Sequence, residues 1–557
     1  MTASPRTRFW LVSAILLTAT KIWLTQALSV AAIGGAIHDD VLFLRLAEQI
    51  LHGRWLGPYD QFTLAKGPGF PVWIALVFQT GLPLFLAQQF AYAAACGLVV
   101  HALRPWLASS GAAFGGYAVL LLNPMSFDGN SMARILRQPL YATLGLVVLA
   151  ALIALYQRRS ESWRRQAGWA TLGGFAFACF WLTREESVWL VPAVILLLAA
   201  LGRSPVETWI TRMRRVLPTW GIFVVAFSLP LLAVSTLNHR HYGWFGTVEF
   251  RAAEFKAAYS ALTRIQAGPE LPQVAVTREM REAAYAASPA FAELRPHLEG
   301  PVGDHWSEKE RFPAADRQIF GGWFMWALRD AVAAAGHARS AGAALDYYRR
   351  VADELNAAIA NGRLAASGGG GGFLPRWQEG YTARLRAEIF PYVRYFIRFE
   401  GFTARSPGSL GDYAELKIFR DLTRGKMGQA PRYPDRPVPE QERLDAWKVS
   451  LLDRIGQVMA RVLTALGVAA QAAFLCLVVR WLWRRDAGYT LWVAAVTWLS
   501  CAAYVALNLL VHVTSFDNLT PSALAAAYPL HCLFIVAVAA ELRRTWSAHS
   551  AAPGTTA

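Results

Sequence analysis

The sequence predicts an all-α polytopic membrane protein: a helical bundle of about ten transmembrane helices with a mainly helical extracytoplasmic domain inserted between spans. Three observations predict it. The 557 residues are 55% hydrophobic and only 17% charged, with a mean hydropathy of +0.29, too apolar for a soluble chain of this length. The basic residues gather in short loops between apolar stretches. Residues 238–457 are polar, with Ala-rich helical periodicity and no alternating β pattern.

The apolar stretches fall at 9–36, 67–82, 84–104, 111–124, 133–156, 167–182, 186–201, 216–236, 458–482, 488–512 and 522–541. Arg6 and Arg8 precede the first, which resembles a signal peptide. Ala31 to Ala36 has the small residues of a cleavage region, but the run is long enough to span, so an uncleaved anchor is expected. Net charge is +16. It reads as topology rather than nucleic-acid binding, because Arg158-Arg159, Arg164-Arg165, Arg212, Arg214-Arg215, Arg484-Arg485 and Arg543-Arg544 mark cytoplasmic loops. Both termini are therefore expected in the cytoplasm of a multi-pass plasma (inner) membrane protein, with 37–66 and 238–457 outside. Four full crossings between 67 and 156 would put Arg158-Arg159 on the wrong side, and the shortest stretch, 111–124, is expected not to cross. Three units follow: an N-terminal membrane module over 1–237, an outer helical domain over 238–457 and C-terminal spans over 458–557.

Within the polar middle, Phe320 to Ala335 and Ala343 to Ala360 are expected to be helices. Gly368 to Gly372 reads as a flexible run, and Pro431 to Glu442 as a linker back to the membrane. The five cysteines lie in apolar stretches without metal-ligand spacing, so neither a disulfide framework nor a zinc site is indicated.

His38-Asp39-Asp40 stands just past the first apolar stretch, where adjacent carboxylates at a membrane boundary are costly. Phe43, Leu46, Ala47 and Ile50 share the face of a helix too short to span, expected to lie along the interface. An N-cap accounts for one carboxylate; the other is free to act as a base or an electrostatic stabiliser. Tyr59-Asp60 follows, then Lys66-Gly67-Pro68-Gly69. Lys66 is either a snorkelling interfacial lysine or a phosphate contact, with glycines that let backbone approach a ligand. Asn123 to Asp128 leads to Arg134 and Arg137, which at i, i+3 would share one helix face, as helix-end arginines or as a phosphate clamp. Thr183-Arg184-Glu185-Glu186, near Trp189, forms a hairpin tip on the same outer side, either a solvated turn or an added cation and two acids for the same cavity. His239 and His241 open the outer domain; i, i+2 spacing is poor for a metal, leaving phosphate or sugar contact, or a plain interface role.

Residues 9–141 resemble the N-terminal part of the GT-C glycosyltransferases, in particular bacterial members similar to protein O-mannosyltransferases (glycosyltransferase family 39) and aminoarabinose transferases of lipid A. The matching elements are His38-Asp39-Asp40, Ala47 to Gly53 with Trp55, Tyr59-Asp60, Lys66-Gly67-Pro68-Gly69 where relatives often show Lys-Pro-Pro, and Arg137-Gln138-Pro139-Leu140-Tyr141. The resemblance implies a GT-C-like bundle. It implies sugar transfer from a polyprenyl-phosphate donor to an acceptor glycan, lipid or protein on the extracytoplasmic face. Asp39 or Asp40 would be catalytic, and Lys66 would lie near the lipid phosphate. The residues themselves extend the donor-phosphate set to Arg134, Arg137 and Arg184, and the substrate set to His38, Tyr59, Asp60, Asp128, Glu185 and His239. Two departures stand out. Gln138 replaces an acid that relatives often carry, with Asp128 the nearest substitute, so no metal ligand set is expected, although a divalent cation stays open. The soluble domain is inserted rather than C-terminal. A transporter or flippase of a lipid-linked or anionic solute, and a non-catalytic envelope assembly protein, are the other readings.

Overall fold

A computed structural model describes residues 4–202, 208–313, 316–368, 376–428, 440–484 and 488–550. The described residues are helical, with isolated bridges in place of strands. Ten helices precede the polar middle: α1 Pro5–Thr25, α2 Asp40–Leu51, α3 Gly69–Thr80, α4 Leu84–Leu103, α5 Ser110–Leu121, α6 Gly129–Ala133, α7 Gln138–Gln157, α8 Trp163–Thr183, α9 Val191–Ala200 and α10 Trp209–Tyr242. The middle adds α11 Ala253–Thr263, α12 Arg278–Ala287, α13 Pro289–Ala292, α14 Arg295–Leu298, α15 Pro301–Trp306, α16 Gly321–Ala334, α17 Ala341–Ala360, α18 Glu379–Ile397 and α19 Tyr413–Thr423. The chain closes with α20 Glu440–Arg484, α21 Tyr489–Thr514 and α22 Ala527–Ser550.

Among the described residues, six helices are long and apolar enough to cross a membrane: α1, α4, α7, α10, α20 and α21. With α8 and α22, of spanning length but more polar, they make a multi-pass bundle. Two expected spans, at 67–82 and 186–201, are instead short helices, as is the stretch at 111–124, which is expected not to cross. α3 and α5 have 12 residues and α9 has 10, about 15–18 Å against a hydrocarbon core of about 30 Å. The helix expected from Arg134 does not form. Pro139 at the second position of α7 lacks an N–H and sets the helix start at Gln138, so Arg134 and Arg137 lie on the connection before it.

The first stretch also departs from expectation. α1 ends at Thr25, and Ala27, Leu28, Val30, Ala31 and Ala32 are buried in a non-helical segment. That segment pairs with the far end of the polar middle: Val30 N–H donates to the Lys426 carbonyl (2.7 Å), and Gly34 N–H to that of Leu410 (2.8 Å). An apolar run reads the same whether lipid or protein covers it. Here protein does, and a Cβ on Gly34 would lie 2.5 Å from the Glu415 side chain.

The polar middle is shared among several cores. Residues 248–364 form their own cluster around Phe255, Tyr259, Phe291, Phe324, Leu328 and Tyr348. Tyr381, Tyr392, Phe396 and Phe399 instead join the bundle core, while Ala404, Phe419 and Leu422 join the cluster beneath α2 and α3. The expected helices at 320–335 and 343–360 appear as α16 and α17. The glycine run beyond Gly368, and the Pro-rich segment up to residue 439, lie outside the described residues. Helix α20 runs unbroken across residue 457 for 45 residues.

Candidate active site

Helix α2 is buried over much of its surface; of its expected face, Phe43 and Ala47 pack with α3 and α19, while Leu46 and the partly covered Ile50 pack with Leu56, Leu64 and Tyr242. Asp39 occupies the N-cap position but makes no capping bond. Its carboxylate pairs with Lys66. Burial pushes the Asp39 carboxyl up, but Lys66, with Arg137 and Arg134 behind it, outweighs burial and holds it at about 2. Asp40 is fully buried. It accepts Arg134 through Nη2 and Nε (3.3 Å for Nε), and Ile135 N–H at 3.0 Å. Burial raises its pKa against the pull of Arg134. Neither carboxylate therefore caps: Asp40 ties α2 to the connection before α7, and Asp39 faces outward.

The Lys66 ammonium is buried, donates to the His38 carbonyl at 2.6 Å, and stands 5.1 Å from the Phe43 ring and 5.3 Å from that of Trp326. Burial lowers its pKa, opposed by Asp39. The glycines beside it do not open backbone to a ligand. A Cβ on Gly67 would lie 2.1 Å from the Leu182 carbonyl oxygen, and one on Gly69 2.9 Å from Thr183 Oγ1. They let the α8 C-terminus cross this turn backbone to backbone. Glu185, just past α8, then accepts Gly67 N–H at 2.9 Å and Arg137 Nη1 at 2.8 and 2.7 Å on its two oxygens. Burial raises the Glu185 carboxyl, yet Arg137 overrides it and holds it at about 2. Arg137 also donates to the Thr183 carbonyl (3.2 Å) and lies 5.3 Å from the Phe43 ring.

Asp39, Asp40, Lys66, Arg134, Arg137 and Glu185 thus form one network of alternating charge around Phe43. Arg184 is set apart. It pairs with Glu186 and stands over the Tyr141 ring, with Nε and Nη1 buried and unpartnered. Four other expected substrate residues fall outside the network. Asp60 organises its own loop, accepting Phe62 and Thr63 N–H (2.8 and 2.9 Å). Asp128 is a buried N-cap for α6, accepting Ser131 N–H (2.7 Å) and Thr403 N–H (3.1 Å). Tyr59 packs 6.1 Å from Tyr242, and burial raises its pKa. His239 is exposed in the last turn of α10, where Asn238 makes the structural bonds, to Trp55 and Gly246. His38 stands at the edge, its ring against Trp306 and Trp326.

Sequence reasoning missed Arg251, which donates to the Glu185 and Arg184 carbonyls (2.6 and 3.2 Å) and fixes the hairpin tip. It also missed Arg329, which holds the first loop by donating to Thr63 O at 2.6 Å. Neither has a local sequence signal. Among the described residues no group of three His, Cys, Asp or Glu converges as a metal site. Asp39, Asp40 and Glu185 each already face a resident cation, so the network does not fit a multi-carboxylate cation site. What it offers is buried positive charge beside one half-exposed carboxylate.

No family model matches the chain, and no curated protein matches it. Among solved structures, it is similar to ArnT from Cupriavidus metallidurans. The apo form has 14% identity over 96% of this chain and 77% of that one, and the form bound to undecaprenyl phosphate 13% over 98% and 80%, each with a TM-score of 0.32. A score of that size describes a partial likeness; the chemistry of the site follows from this chain's own residues.

Proposed function

We propose that the chain is a polyprenyl-phosphate-sugar-dependent glycosyltransferase, acting at the extracytoplasmic face of the plasma (inner) membrane. The observation that carries the reading is the Asp39–Lys66 pair, a half-exposed carboxylate on a buried ammonium, backed by Arg137. A phosphodiester donor needs fixed cations for its phosphate, and an incoming hydroxyl needs a carboxylate. The anionic phosphate competes with Asp39 for Lys66. Asp39, released, accepts the proton of the acceptor hydroxyl as its oxygen bonds to the anomeric carbon. The bond from that carbon to the phosphate oxygen breaks through an oxocarbenium-like state, and the carrier leaves as a phosphate monoester held by Lys66 and Arg137. The acceptor is a glycan, lipid or protein.

The test is transfer from a synthetic polyprenyl-phosphate sugar in proteoliposomes. Covalent product supports the reading. Uptake of label into sealed vesicles with no product would favour a transporter.

A further inference from the structure

We propose that the outer module carries a specificity subsite for the sugar ring of the donor, built from Asp330, Trp306, Trp326 and His38; this rests on the transfer reading above. Asp330, on α16, accepts Trp306 Nε1–H at 2.9 Å and meets His38 Nε2 at 3.1 Å, both through Oδ2. Its other oxygen, Oδ1, is buried and has no partner. A carboxylate only accepts, and a buried acceptor left unpaired is costly, so Oδ1 is set for donors that the protein does not provide.

The surroundings name those donors. The Trp306 and Trp326 rings lie within 15° of parallel, 6.5 Å apart, and His38 stands edge-on to both at 4.6 and 5.2 Å. Aromatic faces beside a hydrogen-bond acceptor match a sugar, which has an apolar C–H face and a rim of hydroxyls. Position links this cluster to the chemistry. Lys66 Nζ is 5.3 Å from the Trp326 ring and bonds the His38 carbonyl. A phosphate on Lys66 therefore places its sugar beside Trp326, one helical turn before Asp330 on α16. The His38 and Asp330 side chains are 12% and 14% exposed, so the subsite opens as His38 gives way to the sugar.

The experiment titrates the full-length protein in nanodiscs with undecaprenyl phosphate and with a panel of undecaprenyl-phosphate pentoses and hexoses. Wild type is expected to bind at least one glycosylated carrier more tightly than the bare carrier, by on the order of 10-fold or more. Asp330→Asn, which keeps one acceptor for Trp306, should erase that margin while leaving affinity for the bare carrier within about 2-fold. Trp326→Leu removes a ring but no hydrogen bond and should shrink the margin too, a second reading should Asp330→Asn fold poorly. A margin that survives both substitutions overturns the subsite, as does a wild type that prefers no glycosylated carrier. A wild type that binds no carrier at all overturns the transfer reading as well.

Discussion

The Lys66 and Asp39 side chains form an ion pair of unequal burial, 8% exposed on the cation and 52% on the anion. An incoming anion therefore reaches Lys66 from the Asp39 side, as a competitor for an ammonium already in use. The carboxylate is the gatepost rather than the floor of the site.

The two adjacent aspartates should part in mutants. Asp39→Asn is expected to lower transfer by roughly 10²–10⁴-fold, with expression intact. Asp40→Asn should act on the fold first. It removes the charge that pairs with Arg134 and leaves a single acceptor oxygen for Arg134 and Ile135 N–H together, at roughly 3 kcal/mol, the low end for a broken buried pair because Arg134 is 32% exposed. Thermal unfolding and single-turnover transfer, measured on both, check this. Equal loss of Tm in the two variants would contradict it.

The same pair predicts a split between two pH profiles. In the free enzyme Lys66 holds Asp39 at about 2, so the acid limb of kcat/KM should lie below about pH 4. With donor phosphate on Lys66 the largest lowering influence is withdrawn and burial is opposed only by Arg137 and Arg134, so the acid limb of kcat should lie higher. Coincident limbs would count against competition for Lys66.

Glu185 predicts the acid stability of the fold. Its carboxyl is held at about 2 by Arg137, against an ordinary 4.5. A depressed folded-state pKa stabilises above the unfolded value, and that contribution is lost as pH falls from about 4.5 to about 2. Glu185→Gln should lower Tm at neutral pH and flatten its fall over that window; parallel curves for mutant and wild type would refute it.

Gly67→Ala should destabilise by about 2–3 kcal/mol, through collision with the Leu182 carbonyl at 2.1 Å rather than through any ligand. Comparable loss of Tm with and without undecaprenyl phosphate checks it.

Topology reporters after Gln61 and Arg281 should read outside, and one after Arg159 inside. A cytoplasmic signal at Arg281 would put the outer module on the wrong side for this chemistry.

Much of the site was legible because its residues sit in short local patterns: Asp39-Asp40, Lys66 before a Gly-Pro turn, and Glu185 at a hairpin tip. Their partners were less so. Arg134 and Arg137 read as one helix face, but Pro139 sets the helix start after them, and they turn to Asp40 and Glu185 instead. The glycines of the Lys66 turn signal close approach without saying to what, and the approach is to Leu182. Residues 26–36 read as membrane because hydropathy does not distinguish lipid from protein cover. Arg329 and Asp330 reach the first loop, and Arg251 the hairpin tip, from far along the chain, and no spacing rule joins them.

Helix α20, at 45 residues, is about 67 Å long, more than twice the hydrocarbon thickness. Its N-terminal half holds the polar middle through Asp453, which accepts Ala404 N–H at 2.9 Å, and α1 through Lys448 over the Trp23 ring at 4.2 Å. The helix is a lever with its fulcrum in the bilayer. A tilt of about 5° displaces a point about 35 Å from the pivot by about 3 Å, roughly the length of a hydrogen bond. A tilt of that size is therefore felt at the Asp453 and Lys448 contacts, which fasten the helix to Ala404 and Trp23.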